Sequence, residues 1–388
     1  MLLYNIKLLA QERRIVKRTN TPMDTIDERI PVTLLTGFLG AGKTTLLNHL
    51  INDPEAGQIA VIMNEFGAAG LDHDLIEAST EETILMQSGC LCCTFRGDIA
   101  KTLGKLMARK QSGELAFDRI VIETTGIAEP APIIHTLVVD QLMPHYYRMD
   151  GVVTVADAAT GSGTLKSQTE AVNQIALADL IVVTKTDLVS EAELASYEAQ
   201  VSTINDSAQR IHADHGKVPI GALFGLSALR EDAATEDIEA WVGKSEKPQS
   251  HNHGGHDHHH GHDHDSHHGN QIRSASIALS DPIPASVFDF WLDMLIAIKG
   301  PDLLRIKGII HVEGMDWPFV FHGVQHIFDA PVPLKAWSGQ DAISRVVVIA
   351  RNMSQDDLDA SLNMLRMKPK EVETTTDGMV HETVEMPF

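Results

Sequence analysis

Short apolar runs alternate with segments of helical period along residues 30–230. The runs, all candidates for strands, are IPVTLL (30–35), IAVIM (59–63), RIVIE (119–123), GVVTVAD (151–157), LIVVT (180–184) and VPIGALF (218–224). Helical periodicity is clearest at 44–52, 97–109 and 168–179. Unbroken Val, Ile and Leu runs are typical of parallel strands that are buried on both faces. The alternation therefore predicts an α/β fold, a parallel sheet with helices on both faces.

The pattern changes abruptly at Gly243. Residues 243–271 carry almost no apolar side chain, so they cannot offset the entropy of folding and are predicted to form a disordered linker. Beyond the linker, strand-like and helix-like runs mix, which predicts a separate, smaller α+β domain. The strand-like runs are 274–280, 303–314, 318–328 and 344–351, and the helical ones are 285–299 and 355–367. The predicted organisation is an N-terminal extension (1–29), the α/β domain (30–242), the linker (243–271), the C-terminal α+β domain (272–369) and a polar tail (370–388).

Charge and composition narrow the possible partners. The 388 residues include 31 Lys and Arg against 53 Asp and Glu, a formal net charge of −22. So acidic a chain lacks the basic footprint of a nucleic-acid-binding protein, and it lacks the roughly 18–20 consecutive apolar residues of a membrane span. The basic N-terminus has no apolar signal-peptide core and is predicted to be flexible, with a transit peptide as the alternative. Three Cys fit a reducing compartment, so we expect a cytoplasmic protein without nucleic-acid or membrane partners.

A phosphate-binding loop follows the first strand-like run. The segment GFLGAGKT, residues 37–44, matches the pattern G-x-x-x-x-G-K-[ST] at every fixed position. In such a loop backbone N–H groups surround the phosphates, Lys43 reaches the β- and γ-phosphate oxygens and Thr44 offers its hydroxyl to Mg²⁺. The α/β domain is therefore predicted to be a P-loop NTPase sheet. Its predicted nucleotide-binding residues are Gly37, Gly40, Ala41, Gly42, Lys43, Thr44 and Thr45.

Two later strand ends extend the predicted nucleotide site. Glu123 ends one strand and is placed to arrange Mg²⁺, and Gly126 would let the backbone approach the γ-phosphate. Thr184, Lys185 and Asp187 end another strand. Asp187 can accept hydrogen bonds from guanine N1 and N2, and the Lys185 stem can lie over the base, so GTP is favoured over ATP. The usual guanine signature has Asn where this chain has Thr184.

The loop that contacts the edge of the base is less clear from sequence. Ser227 and Ala228 are candidates for this role, on the strength of two residue types alone.

All three cysteines lie within four residues, at Cys90, Cys92 and Cys93. They precede a helix predicted to start near Gly97, and a helix N-terminus lowers the pKa of a nearby thiol. Thiolates in this number favour Zn²⁺, Cu⁺ or Co²⁺ over Mg²⁺. Buried structural cysteines and a redox dithiol of Cys90 and Cys93 are the alternatives. Three thiolates leave a tetrahedral site one ligand short, which suits metal transfer better than a permanent structural site.

The order of these motifs resembles the CobW-type GTPases, a family of metallochaperones. The resemblance rests on GFLGAGKTTLLNHL, Asn-Glu-Phe-Gly (64–67), Gly-Cys-Leu-Cys-Cys (89–93) and Glu-Thr-Thr-Gly (123–126). The Thr-Lys-Thr-Asp run and the segments DLLRIKGIIHVEG and VFHGVQHIF extend it to about residues 30–370. It implies a GTPase that loads or delivers a transition metal, most often zinc in the branch with a His-rich linker, to a client metalloprotein.

The same resemblance implies roles for individual residues. It makes Cys90, Cys92 and Cys93 zinc ligands, with Glu65 as a possible further ligand. It matches Asp72 to a switch residue that holds Mg²⁺ or the attacking water, so the catalytic set is Lys43, Asp72 and Glu123. Many members carry an acidic residue where this chain has Ala68 and Ala69, so an auxiliary carboxylate ligand can be missing here. The sequence specifies neither a client nor an oligomeric state.

Half of the 20 histidines lie in the predicted linker. They are His251, His253, His256, His258, His259, His260, His262, His264, His267 and His268. Neutral imidazoles at this density bind Zn²⁺, Co²⁺, Ni²⁺ or Cu²⁺, so the tract is interpreted as an auxiliary metal antenna, with a plain soluble linker as the alternative. Two other functions stay open: delivery of cobalt for cobalamin synthesis or to a metal-dependent hydratase, and storage of zinc without coupled hydrolysis.

Overall fold

A computed structural model describes residues 27–64, 83–85, 91–95, 99–227, 238, 241–242, 272–329, 331–334 and 343–369. Its first sheet has eight strands in the order β3-β4-β2-β5-β1-β6-β7-β8, parallel throughout except for β3, which runs antiparallel to β4. The strands are β1 (Ile30–Thr36), β2 (Ile59–Asn64), β3 (Thr83–Leu85), β4 (Leu91–Phe95), β5 (Arg119–Glu123), β6 (Tyr147–Asp157), β7 (Leu180–Thr184) and β8 (Gln209–His212).

Helices cover both faces of this sheet, as the strand–helix alternation predicts. They are α1 (Lys43–Asn52), α2 (Ile99–Gln111), α3 (Ala131–Val139), α4 (Met143–Tyr146), α5 (Gly161–Ser167), α6 (Thr169–Leu177) and α7 (Glu191–Ile204). Successive side chains of a strand point to opposite faces. Leu34 accordingly packs in one core with α2, and Leu35 packs in the other with α1. The predicted fold class is therefore confirmed for this part of the chain.

One predicted strand is wrong. The run 218–224 forms a turn of 3₁₀ helix at Ile220–Leu223, and the edge strand is instead β8. The run is apolar because Val218, Ile220 and Leu223 are buried against α1. The edge strand escapes detection because its residues are half-buried or exposed, so it has no continuous apolar run.

The second sheet is antiparallel, in the order β12-β11-β10-β14-β9 with β13 paired to β11. Its strands are β9 (Ile272–Leu279), β10 (Leu303–Ile310), β11 (Phe319–Val324), β12 (Ile327–Phe328), β13 (Val332–Pro333) and β14 (Ser344–Arg351). One face packs against α8 (Ala285–Lys299) and α9 (Gln355–Asn363) through Phe288, Trp291 and Leu358. The predicted run 318–328 is split into two strands by a turn at Gln325, which has φ of 57°. The α+β class is confirmed.

Besides the core that it forms with its own helices, the second sheet shares an apolar cluster with the first. Leu304 and Ile349 of the second sheet pack with Ile175 and Val201 of the first. Among the helices that the structure describes, none has the length and apolar character to cross a bilayer. The predicted linker 243–271 lies outside the described residues.

Buried polar groups cross the same junction. The Arg305 guanidinium donates to the Asp179 carboxylate and to the carbonyl oxygen of Leu177. Trp241 Nε1 and the backbone N–H of Val152 also donate to the Asp179 carboxylate, each at 3.0 Å. Because three separate groups donate to this one buried carboxylate, the polar contacts hold the junction in a defined geometry.

Candidate nucleotide and metal site

The loop between β1 and α1 has the backbone that its glycines predict. Gly37, Gly40 and Gly42 have φ of 142°, 74° and 104°, in the region that favours glycine. Space is also restricted, because a Cβ at Gly37 would lie 2.3 Å from the carbonyl oxygen of Val155. The loop therefore requires glycine at Gly37 for both conformation and packing.

Lys43 folds back across this loop. Its Nζ donates to the carbonyl oxygens of Gly37 at 2.8 Å and Phe38 at 3.2 Å. Burial lowers the pKa of Lys43, and the nearby Glu123 carboxylate opposes that shift. The ammonium is thus held inside the loop by carbonyl groups that a phosphate oxygen can replace.

Thr44 and Glu123 come together although they are 79 residues apart in the chain. Thr44 Oγ1 lies 3.4 Å from Glu123 Oε1, with Glu123 buried at the carboxyl end of β5. Thr124, the next residue, donates from its hydroxyl to Thr36 Oγ1 at 2.8 Å and so ties this strand end to β1. A hydroxyl and a carboxylate are oxygen donors of the kind that Mg²⁺ prefers, so these residues fit the predicted cation.

The loop after β5 lies against the phosphate-binding loop. A Cβ at Gly126 would lie 2.6 Å from the backbone nitrogen of Leu39. Only glycine allows this approach of one loop to the other, so the backbone at Gly126 lies directly against the predicted phosphate-binding loop.

Thr184 ties β7 to the phosphate-binding loop. Its hydroxyl is buried and donates to the carbonyl oxygen of Ala41 at 2.7 Å. Lys185 follows in a left-handed conformation, with φ of 57°, and Asp187 is exposed in the 3₁₀ turn Thr186–Leu188. The strand end thus presents Lys185 and Asp187 outward, while Thr184 is directed at the loop.

Asp157 is a site residue that the motif analysis did not include. It ends β6 and accepts hydrogen bonds of 2.8 Å from Lys185 Nζ, Thr160 Oγ1 and the N–H of Ala159. Burial alone would raise the pKa of Asp157, but the hydrogen bonds and charge of Lys185, with the other donors, hold it below its ordinary value. The carboxylate fixes the direction of Lys185. In the sequence, Asp157 stands out as an acidic residue that ends a continuous apolar strand.

A tight turn after β8 forms the other side of this region. The backbone groups of Asp214 and Lys217 bond reciprocally at 3.1 and 2.8 Å, with His215 and Gly216 at positive φ. A Cβ at Gly216 would lie 2.6 Å from the Thr45 side chain, so the turn packs on α1. Asp214, and to a lesser extent Asp187, raise the pKa of His215. The turn follows β8, whose His212 pairs with Val183 just before Thr184 at the end of β7.

This geometry corrects the prediction for the base-edge loop. Ser227 follows Gly225 and Leu226, which contact Asp150 and Gly151 near the amino end of β6. The nucleotide motifs lie at the carboxyl ends of the strands, the opposite edge of the sheet. Ser227 therefore lies toward the opposite edge of the sheet from the predicted base-binding residues, whereas the turn at 214–217 follows β8 at their own edge. Ala228 lies outside the described residues.

The cysteine motif falls partly in β4, which contains Cys92 and Cys93. By backbone register Cys92 pairs with Val61 of β2, and Cys93 pairs with Ile62. The sequence predicts a helix N-terminus near Gly97 that would lower the pKa of the thiols; residues 96–98 lie outside the described residues, and the described part of α2 is Ile99–Gln111. The other predicted metal or switch residues lie outside the described part of the chain: Cys90, Glu65, Asp72 and the ten linker histidines, 251–268.

The arrangement of these groups defines a class of protein. A glycine-rich loop and its lysine lie beside an acidic strand end and a Thr-Lys-x-Asp segment, all at the carboxyl edge of one parallel sheet. This is the nucleotide site of a P-loop GTPase.

Comparison with known proteins narrows that class to a family. Residues 31–212 match the CobW/HypB/UreG nucleotide-binding domain, and residues 272–366 match the cobalamin synthesis protein cobW C-terminal domain. The chain is 32% identical over 337 residues to the zinc chaperone YjiA of Escherichia coli K12, which covers 87% of this chain and 99% of YjiA. It is 31% identical over 363 residues to the zinc-regulated GTPase metalloprotein activator 1 of Schizosaccharomyces pombe, which covers 85% of this chain and 84% of that protein.

The fold agrees with these sequence matches. The crystal structure of Zn(II)-bound YjiA GTPase from E. coli has a TM-score of 0.67 to this chain at 30% identity, covering 87% of this chain and 99% of that one. The chain belongs to the CobW family of GTPases. The family and the GTPase activity predicted from the sequence are thereby confirmed.

Proposed function

We propose that this GTPase is a metallochaperone that binds zinc through Cys90, Cys92 and Cys93 and transfers it to a client metalloprotein. Two relatives are named zinc chaperones and a third is named a zinc-regulated GTPase metalloprotein activator, which supports this class of function. The GTP-bound and GDP-bound states hold zinc with different affinities, so that hydrolysis triggers transfer. The proposed setting is the cytoplasm, where thiols stay reduced.

The observation that carries this proposal is the position of the thiol strand in the sheet. Cys93 pairs with Ile62 of β2, and Ile62 pairs in turn with Ile122 of β5. Two strand spacings amount to about 10 Å. Glu123 follows Ile122 directly, so the strand that senses the phosphates and the strand that carries the thiols are separated by a single strand.

This proximity gives the coupling a physical route. A γ-phosphate orders the loops that contact it, and hydrolysis releases them. If release changes how β4 presents its thiols, the nucleotide state changes the zinc affinity. By linkage, zinc must then change the relative affinity for GTP and GDP by the same factor.

Each residue of the nucleotide site has its own proposed role in GTP hydrolysis. Magnesium, when bound, neutralises charge on the β- and γ-phosphates. Thr44 and Glu123 would hold it, and Lys43 exchanges its two carbonyl partners for phosphate oxygens. The backbone at Gly126 approaches the γ-phosphate, and Asp72 is proposed to position the attacking water or to share in holding the cation. Lys185 and Asp187 bind the guanine base.

Further metal ligands are proposed from the sequence. Glu65 is a candidate to complete the thiolate site. The ten linker histidines serve as auxiliary ligands that raise the local concentration of metal near the thiols. Deletion of residues 251–268 is expected to lower metal capacity and leave basal GTP turnover unchanged.

The test is a competitive titration of Zn²⁺ and Co²⁺ against a chelator. Each titration is run with GDP and with a non-hydrolysable GTP analogue. The background lacks residues 251–268, so that the thiol site is measured alone, and the variants are the intact motif and Cys90→Ala/Cys92→Ala/Cys93→Ala. We expect tight, nucleotide-dependent Zn²⁺ binding that disappears in the triple variant. GDP affinity of the triple variant is the control for folding.

Three outcomes would contradict the proposal. Unchanged Zn²⁺ affinity in the triple variant rules out the thiol site. Equal Zn²⁺ affinity with GDP and with the GTP analogue rules out the coupling and favours a zinc store. Nucleotide-dependent binding seen with Co²⁺ alone favours cobalt delivery.

A further inference from the structure

Gln174 is a buried amide on α6 that none of the nucleotide or metal motifs includes. Its side chain is 1% exposed, and its Nε2 donates to the carbonyl oxygens of Gly126 and Ala128, each at 3.1 Å. Both carbonyls belong to the loop after β5. One buried side chain thus determines the path of the backbone that contacts the phosphate-binding loop at Leu39.

The neighbouring Asn173 adds a second connection to the same loop. It is 4% exposed, and its Nδ2 donates to Glu129 Oε1 at 3.2 Å. Burying an amide is unfavourable unless its polar atoms find partners. The NH₂ groups of the two consecutive amides find their partners along residues 126–129.

The helix that carries both amides is itself fixed. The carbonyl oxygen of Leu177, in the last turn of α6, accepts a hydrogen bond from Arg305 of the second sheet. Leu177 also packs in one apolar core with Ala131 of α3 and Val324 of the second sheet. Gln174 lies three residues before Leu177, about 4.5 Å along the helix axis. The amide is thus presented to the loop from a rigid support, which is what precise positioning requires.

Three buried polar atoms of this helix and loop have hydrogen-bonding capacity that no partner among the described residues uses. In the described part of the chain, Gln174 Oε1, Asn173 Oδ1 and Thr125 Oγ1 are buried without a hydrogen-bond partner. Thr125 is a donor on the loop, and the two amide oxygens are acceptors on the helix.

We propose that Gln174 is a positioning residue for GTP hydrolysis, which holds the loop at Gly126–Ala128 in the place where its backbone meets the γ-phosphate. It does not touch the nucleotide and acts through the two carbonyls that it binds. The proposal rests on the placement of the γ-phosphate at Gly126 and is independent of the metal. GDP has no γ-phosphate, so its affinity is a separate readout.

The principal variant is Gln174→Met, which keeps the length of the side chain and removes the donor. Because a misplacement of about 1 Å can cost about a hundredfold in rate, we expect kcat for GTP to fall about ten- to hundredfold. The Kd for GDP and the unfolding midpoint should change little. Gln200→Met is the control: Gln200, half-buried on α7, donates to Ser162 Oγ of α5 at 3.1 Å, and its loss should leave kcat intact.

A second variant makes the test independent of Gln174→Met folding well. Gln174→Glu has the same shape, but its carboxylate faces two carbonyl oxygens without a proton to donate. Protonation restores one donor, so its kcat relative to the native protein should recover as pH falls. A purely structural role predicts no such pH profile.

Two results would overturn the proposal: native kcat in both variants, or equal losses of kcat, GDP affinity and unfolding midpoint with a flat pH profile. Failure of the nucleotide site itself is distinguished by Lys43→Ala. If that variant binds GDP normally, the placement of the nucleotide is wrong, whatever Gln174 does.

Discussion

The hydroxyl of Thr184 donates to the carbonyl oxygen of Ala41 at 2.7 Å and so joins the end of β7 to the phosphate-binding loop. Both atoms are buried, and they are 143 residues apart in sequence. The strand end proposed to bind the base and the loop proposed to bind the phosphates are therefore joined directly by a buried hydrogen bond. This contact explains how Thr can serve at a position where Asn is usual.

Thr184→Val tests that contact. Valine has the same shape but leaves the Ala41 carbonyl without its donor, a loss of about 1–3 kcal/mol for a buried group. We expect the Kd for GDP and for GTP to rise together, by about five- to hundredfold, as measured by titration with fluorescent nucleotides. Thr203→Val, which removes an exposed hydroxyl on α7, should leave both values unchanged. Unchanged affinity in Thr184→Val would show that the contact is dispensable.

The buried ammonium of Lys43 is expected to lower the stability of the folded chain when no nucleotide is bound. Burial depresses the pKa of this ammonium, so the folded chain without nucleotide holds a charge that would be more stable in water. Lys43→Met should therefore leave the free energy of unfolding unchanged or raise it when nucleotide is absent. GTP affinity and turnover should fall at least about a hundredfold, since the phosphates lose their charged partner. Chemical unfolding and GTPase assays on one preparation check both; a variant that is less stable without nucleotide contradicts this explanation.

The parts of the site that sequence predicts are those fixed by local backbone needs. Gly37 and Gly126 lie where a neighbouring backbone approaches so closely that only glycine fits. Lys43 and Thr44 follow Gly37 at a fixed spacing, so a sequence motif is enough to identify them. Asp157, Gln174 and the turn at 214–217 have no such pattern. Each acts through partners that are distant in sequence or through a short turn, so no fixed local spacing of residue types identifies it.

The fold shows the same division. Buried strands β1, β5 and β7 are continuous apolar runs and were predicted, whereas the edge strand β8 is half-exposed and was missed. The apolar cluster that the two sheets share was also missed. Periodicity reports which face of an element is buried, but not which distant element covers it.

Lys307 predicts a rise of stability at alkaline pH. It is buried in β10, and its ammonium donates to the carbonyl oxygens of Ser207 and Trp241. Burial, with a smaller effect of Arg305, lowers the pKa of Lys307 to about 7. Above that pH the unfolded chain binds more protons than the folded one, until the lysine pKa of about 10.4 is reached. The free energy of unfolding should therefore rise with pH across this window.

Urea unfolding at a series of pH values between these limits measures the slope. Lys307→Met removes the titrating group and should flatten the curve. Lys217→Met is the control, because Lys217 lies on the exposed turn after β8 and should leave the slope unchanged. The same slope in Lys307→Met would assign the pH dependence to another group.

The buried pair of Asp179 and Arg305 predicts the opposite dependence, at acid pH. Burial alone would raise the pKa of Asp179. The positive charges of Arg305 and Lys307, together with the hydrogen bond from Arg305, lower it by a larger amount, so the pKa of Asp179 lies below its ordinary value. A carboxyl whose pKa is depressed on folding contributes stability above its unfolded pKa of about 3.9 and loses it as pH falls through the folded value. The free energy of unfolding of the native protein should therefore decrease as the pH falls below about 3.9.

Arg305→Met should reverse the sign of that contribution. Without its guanidinium partner, the Asp179 carboxylate stays buried with its charge poorly compensated, which costs about 3–5 kcal/mol at neutral pH. Burial then raises the pKa of Asp179, so protonation on mild acidification should recover part of the lost stability. Asp179→Asn/Arg305→Met removes the charge as well and should be more stable than Arg305→Met alone. Urea unfolding of the three proteins at neutral and mildly acidic pH measures these differences in stability. If Arg305→Met loses stability on acidification as the native protein does, the Asp179–Arg305 pair does not hold the two sheets together in the way its geometry indicates.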